Sequence, residues 1–196
     1  MAVMHSDVPG KEKQAKTDGF VEGCFEWVEA LISALIAVMV LFVFLFRVNV
    51  VVDGDSMQPH FYDGYHVFVN CIDRSFSRGD VIVIDADGTN LTPKARIIKR
   101  VIATEGEKVD IDPATNCVVV NGKKLDESAY IKNGITVKDG TTPLPAVVPK
   151  GCVFVLGDNR IVSEDSRFRE VGMVDKRYII GKVGFLLSPF RGFQLK

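Results

Sequence analysis

The chain has 196 residues, with 24 Lys and Arg against 25 Asp and Glu, for a formal net charge of −1. No basic field points to nucleic acid, and three histidines with four scattered cysteines lack metal-ligand spacing, which argues against a zinc site. The hydrophobic fraction, 47%, is high for a soluble protein, and one segment carries much of it.

Residues 1–26 are polar and mixed in charge, with Pro9, Gly10, Lys11, Lys13 and Lys16. They read as a mostly disordered tail that turns helical toward Glu26. Ala30 to Phe46 is free of charge between Glu29 and Arg47. As a helix it rises about 25 Å, slightly short of a hydrocarbon core, and Trp27 and Val28 extend it. The run is longer than a signal-peptide core, and no A-x-A cleavage pattern follows it. An uncleaved single-pass anchor over 27–47 is predicted. Three lysines precede it and Arg47 follows, which places the N-terminus in the cytoplasm and 48–196 outside.

From Val48 onward the pattern is strand. VNVVV, YHVFVN, DVIVID, ARIIKRVIA, EKVDI, NCVVV and GCVFVL are short runs rich in Val and Ile. Turn signals separate them, and Asn121-Gly122 marks a two-residue hairpin. With no βαβ alternation, a mainly β domain of barrel or sandwich type is expected. A polar stretch at about 108–150 reads as an inserted hairpin-bearing subdomain. Cys24 precedes the anchor, so at most Cys71, Cys117 and Cys152 share a compartment. They read as thiols, with a disulfide among the three as the alternative. Asn90-Leu91-Thr92 matches a glycosylation sequon and is taken as chance.

Three constellations carry candidate chemistry. Gly54-Asp55-Ser56-Met57-Gln58-Pro59 is a tight turn that can present a hydroxyl with the Ser56 N–H beside it. It is not the G-x-S-x-G elbow, because Gln58 stands at the second glycine position. In Arg96-Ile97-Ile98-Lys99-Arg100-Val101, strand alternation gives Lys99 the face of Ile97 and Val101. Burial there lowers a lysine pKa. A fall of roughly 3, about 4 kcal/mol, leaves the amine half neutral at about pH 7–8. A neutral amine can deprotonate a serine. Gly157-Asp158-Asn159-Arg160 and Ser163-Glu164-Asp165-Ser166-Arg167 are dense in short hydrogen-bonding side chains, suited to orienting an amine. Taken singly, each also reads as an ordinary turn serine, a solvated strand lysine or a polar turn.

Together, in this order after one apolar span, they resemble the bacterial type I signal peptidases. The resemblance covers nearly the whole chain: the anchor, G-D-S-M-Q-P, R-G-D-V-I-V from Arg78 to Val83, I-I-K-R-V-I, and G-D-N-R-x-x-S-x-D-S-R. It implies a signal-peptidase-like β domain acting as a serine endopeptidase, with Ser56 as nucleophile and Lys99 as general base. Ser163 matches the serine that hydrogen-bonds the base amine, and Asp165 and Arg167 match a supporting ion pair. Asp158 lies in the same loop as further support. Val52, Met57, Phe61 and Ile98 sit where the family lines its pockets for small residues at substrate positions −1 and −3. The oxyanion would meet the Ser56 N–H. Some relatives add a serine hydroxyl two residues earlier, where this chain has Gly54, so the second donor is left to the Gly54 N–H or a water. I-A-T-E-G-E, Ile102 to Glu107, departs from the commoner I-G-x-P-G-D in a turn after the base.

The implied partners are exported preproteins, the lipid bilayer and a secretion translocon, with no metal or cofactor. His60, four residues after Ser56, is a weaker candidate base because no acid is positioned for it in the sequence. Two other readings stand beside this one: another Ser/Lys protease of related fold, such as the self-cleaving repressors of the DNA-damage response, and a membrane-anchored binding module without catalysis.

Overall fold

The structure, a computed structural model, describes residues 10–85, 96–131 and 135–187. The sequon at Asn90 lies outside them. The chain divides into two units, 1–44 and 45–196.

The described residues of the first unit lie in one helix, α1, Gly10–Leu45. It begins well inside the stretch expected to be a disordered tail. Pro9 immediately precedes it and no proline interrupts it, while Lys, Glu, Gln and Ala favour helix through its first turns. Within it Gly23–Val43 is long and apolar enough to cross a membrane, with a mean hydropathy of 2.1. Leu31, Leu35, Met39 and Val43 are exposed within this unit, an arrangement that water disfavours and a bilayer accepts. One N-terminal apolar helix of this kind fits a membrane anchor.

The second unit is mainly β. Its strands are β1 (Phe46–Val51), β2 (His66–Asn70), β3 (Val81–Ile84), β4 (Ile97–Thr104), β5 (Lys108–Asp112), β6 (Cys117–Val120), β7 (Lys123–Lys124), β8 (Ala146–Val147), β9 (Cys152–Leu156), β10 (Val174–Asp175) and β11 (Ile179–Leu187). Phe46 and Arg47, expected at the end of the anchor, are already strand: they pair with Asn70 and Val69. A seven-stranded sheet runs β1-β2-β11-β3-β4-β9-β10 and a four-stranded sheet runs β7-β6-β5-β8. Register shifts in β1, β4 and β11 are the irregularities that bend and twist a sheet. The four-stranded sheet draws all its strands from 108–147. Its hairpin turns at Asn121 (φ 53) and Gly122 (φ 78), both left-handed, as a two-residue I′ turn requires.

Three apolar clusters hold the domain. One joins Ile82, Ile84, Val101, Val155 and Ile179. A second packs Val109, Ile111, Val118 and Val120 of the smaller sheet against Ile102, Phe154 and Leu156 of the larger. The third gathers Val50, Val52, Met57, Phe61, Val67, Val69, Val83 and Ile98. Cys71, Cys117 and Cys152 are free thiols.

Candidate active site

The turn after β1 is closed at its base. Val52 N–H donates to Tyr65 O at 2.8 Å and Gly64 N–H to Val52 O at 2.9 Å. Inside, Gln58 N–H reaches Asp55 O at 3.2 Å and Phe61 N–H reaches Met57 O at 3.0 Å. Met57, 1% exposed, drives its side chain into the third apolar cluster. Its burial pins the residue next to Ser56 and leaves the serine at the surface of the turn.

Lys99 comes from the middle of β4. The ladder pairs Ile82 with Lys99 and Val83 with Ile98. Ile82 and Val101 belong to one apolar cluster, Val83 and Ile98 to another. Lys99 therefore shares its face with buried aliphatic side chains and is itself only 4% exposed. Its Nζ lies 2.8 Å from Ser56 Oγ. Burial is the largest influence on the amine and lowers its pKa from 10.5 to about 8. Asp165, Glu164 and Asp158 pull it back up, and Arg167 opposes them.

The loop after β9 closes the site from the other side. Gly157 leaves no room for a side chain: a Cβ there would lie 2.2 Å from Ser163 Oγ and 2.5 Å from Ser56 O. Gly157 N–H donates to Asp165 Oδ2 at 3.2 Å. Asp165 is paired with Arg167 through Nε at 2.9 Å and Nη2 at 3.1 Å, both side chains fully buried. Arg167 also donates to Arg160 O at 2.6 Å and Ser163 O at 3.2 Å. Asp158 makes a two-pronged pair with Arg100, at 2.7 and 2.6 Å.

Two expectations about this loop and turn need correction. Ser163 is buried, but its Oγ has no hydrogen-bond partner among the described residues; the bond to Lys99 is not formed. The Gly54 N–H is already committed, donating to Asp63 Oδ1 at 3.0 Å. Gly54 has φ +84, a left-handed conformation that glycine adopts freely, and it turns the amide toward Asp63. Gly54 is therefore not a free oxyanion donor. The Ser56 N–H has no acceptor among the described residues. Val52, Met57, Phe61 and Ile98 do meet, within one buried cluster. His60 Nδ1 stands 3.5 Å from Asp158 Oδ2, its side chain 42% exposed, while Ser56 faces Lys99 instead.

Several contributors were not singled out from the sequence. Arg160, 4% exposed, donates to Gly157 O at 2.9 Å, to Glu127 Oε2 at 3.1 Å and to Thr136. It ties the loop to the segment between the smaller sheet's strands. Tyr130 donates to Glu127 Oε1 at 3.1 Å and lies under Arg100, 4.4 Å from guanidinium to ring centre. The arginine next to Lys99 and the arginine after Asn159 were the available signals; their acidic and aromatic partners are far away in sequence. Beside the turn opens a groove of about 430 Å³ with mixed lining, apolar at Pro59, Ile131 and Ile161 and polar at Gln58, Asp139 and Asn159.

A serine paired with a buried lysine on a mainly β domain invites comparison with known hydrolases. The family described as signal peptidase, peptidase S26, matches residues 24–188. The chain belongs to the signal peptidase family. Signal peptidase I of Bacillus licheniformis is 36% identical over 174 residues, covering 85% of this chain and 89% of its own. Signal peptidase I of Bacillus amyloliquefaciens is 34% identical with 95% of each chain covered. Signal peptidase IB of Staphylococcus aureus strain Mu50 is 37% identical, covering 84% of this chain and 93% of its own. A crystal structure of a signal peptidase I from Enterococcus faecalis V583 overlays at a TM-score of 0.45 and 30% identity, covering 56% of this chain and 97% of that one. As a signal peptidase, the chain is a peptide-bond hydrolase.

Proposed function

We propose that the chain removes signal peptides from exported preproteins by a Ser56–Lys99 acyl-enzyme mechanism, cutting after small residues at positions −1 and −3. The observation that carries this reading is the 2.8 Å approach of Lys99 Nζ to Ser56 Oγ inside an apolar wall. The neutral amine takes the hydroxyl proton as Oγ attacks the scissile carbonyl. The developing oxyanion is met by the Ser56 N–H. Lys99, now protonated, gives its proton to the leaving amine of the mature protein as the C–N bond breaks. In the second half, Lys99 deprotonates a water that hydrolyses the ester and returns the proton to Ser56. No cofactor enters these steps.

Val52, Met57, Phe61 and Ile98, which pack in one cluster beside Ser56, are the residues assigned to the small-residue pockets for positions −1 and −3. The substrate strand lies extended, held by main-chain hydrogen bonds. Asp165 and Arg167 hold the loop behind the base, and Asp158 anchors it to Arg100. Gly23–Val43 sits in the bilayer with Lys11, Lys13 and Lys16 on the cytoplasmic side, and the β domain acts outside, where a translocon delivers preproteins. Tethering raises the effective concentration of enzyme for membrane-held signal peptides.

The test is cleavage of a preprotein by the purified full chain in lipid vesicles. Ser56→Ala is expected to abolish it by removing the attacking hydroxyl, and Lys99→Arg because a guanidinium does not deprotonate at working pH. Retained cleavage in either variant overturns the assignment of that residue. A preprotein carrying Leu at −1 is expected to resist cleavage, and equal processing would refute the small-residue preference.

A further inference from the structure

We infer that Asn159 is a positioning residue that aims the Ser56 N–H at the oxyanion, by holding both peptide planes that flank Ser56. The inference rests on the serine–lysine reading above. Asn159 Nδ2 donates to Asp55 O at 3.2 Å, and Asn159 N–H donates to Ser56 O at 3.0 Å. The partner of the side chain is a carbonyl oxygen, so the amide nitrogen, not its oxygen, must face it.

The consequence follows from peptide geometry. Asp55 C=O and Ser56 N–H belong to one rigid trans plane and point in opposite directions. A donor that fixes the carbonyl on one side therefore fixes the N–H on the other. The next plane, carrying Ser56 C=O, is fixed by the Asn159 backbone. The two planes are related only by φ and ψ of Ser56, so one residue sets the direction of both the Ser56 N–H and its Cα–Cβ bond. With Gly54 N–H spent on Asp63, the Ser56 N–H is the one left of the two candidate oxyanion donors, and its aim matters more.

Asn159 is built to hold still. Gly157 packs against Ser56 O with no space for a Cβ. Asp158 before it is locked to Arg100, and Arg160 after it to Glu127 and Thr136. Asn159 C=O accepts from Val162 N–H at 3.3 Å. The buried ion pairs of this loop thus reach the nucleophile through Asn159.

Asn159→Ala deletes the bond to Asp55 O and keeps the backbone bond to Ser56 O. Losing an oxyanion donor outright costs about 10²–10³-fold in kcat, and misaiming one is expected to cost about 10- to 100-fold. KM, the midpoint of the pH–rate profile and the melting temperature should stay unchanged. Affinity for a peptide aldehyde, whose adduct with Ser56 places an oxyanion in the same spot, should fall in step with kcat. Affinity of a substrate peptide for the Ser56→Ala background should not. An unchanged kcat, or a loss that tracks melting temperature or a moved pH midpoint, overturns the positioning role. Ser56→Ala in the same assay separates the two levels. Activity in that variant removes the nucleophile and the inference with it, whereas an inactive Ser56→Ala beside a fully active Asn159→Ala removes the inference alone.

Discussion

Lys99 Nζ meets Ser56 Oγ at 2.8 Å across 43 positions of sequence, with the lysine nearly sealed from solvent. Burial that favours the neutral amine makes the pair competent as base and nucleophile, and the same burial disfavours the charged amine in the folded state.

The pH dependence follows from that amine. Its pKa is lowered to about 8, so the neutral form is scarce below that pH and dominant above it. The rate constant kcat/KM for preprotein cleavage is expected to rise about tenfold per pH unit on the acid side and level off above about 8. A pH–rate profile measures this; a profile flat from pH 6 to 9 would refute Lys99 as the base.

Lys99 should also tax stability. Folded, it releases its proton near 8; unfolded, near 10.5. Between those values the unfolded chain binds more protons, so stability rises with pH there, and the full penalty is present below about 8. The penalty is on the order of 3 kcal/mol, offset in a variant by about 1 kcal/mol for the partner Ser56 loses. Lys99→Met is therefore expected to stabilise the domain by about 2 kcal/mol at pH 7 while abolishing cleavage. The gain should shrink toward pH 10. Denaturant melts at both pH values check this, and a destabilised Lys99→Met at pH 7 would contradict it.

Asp165→Asn should have two separable effects. It leaves the buried Arg167 guanidinium without its main counter-charge, a loss of about 3–5 kcal/mol. It also removes the charge that most raises the Lys99 pKa, while Arg167 still lowers it. Residual activity should then show its pH midpoint below about 8. Thermal melts and a pH–rate profile read the two effects; a midpoint moved upward would reject the electrostatic role.

Gly157→Ala places a methyl 2.2 Å from Ser163 Oγ and 2.5 Å from Ser56 O. Something must shift, and Ser56 O belongs to the nucleophile's own backbone. A displacement near 1 Å is enough to cost about 100-fold in rate. Cleavage should fall by about that factor or more, and wild-type kinetics would mean the loop yields away from Ser56 instead.

Much of this architecture was legible one segment at a time. Apolar run length marks the span in α1, the Val- and Ile-rich runs mark the strands, and Asn121-Gly122 marks its hairpin because few residues accept two left-handed φ values in succession. Alternation in β4 places Lys99 beside Ile97 and Val101, and with it the desolvation that shifts the amine. Where local signals were weak, the reading failed: the helix extends back to Gly10 through residues whose composition suits either a charged tail or a helix.

Contacts set by distant residues had no local trace. The Gly54 amide is taken by Asp63, Ser163 Oγ has no partner among the described residues, and Arg160 finds Glu127 and Thr136 in another segment. Side-chain periodicity is a property of neighbours along the backbone, so the chain order alone reveals which face a residue takes. Which hydroxyl, carbonyl or carboxylate waits across that face depends on how sheets and loops close on one another. That closure, and no local pattern, brings Lys99 to Ser56 and Asn159 to the peptide planes on either side of it.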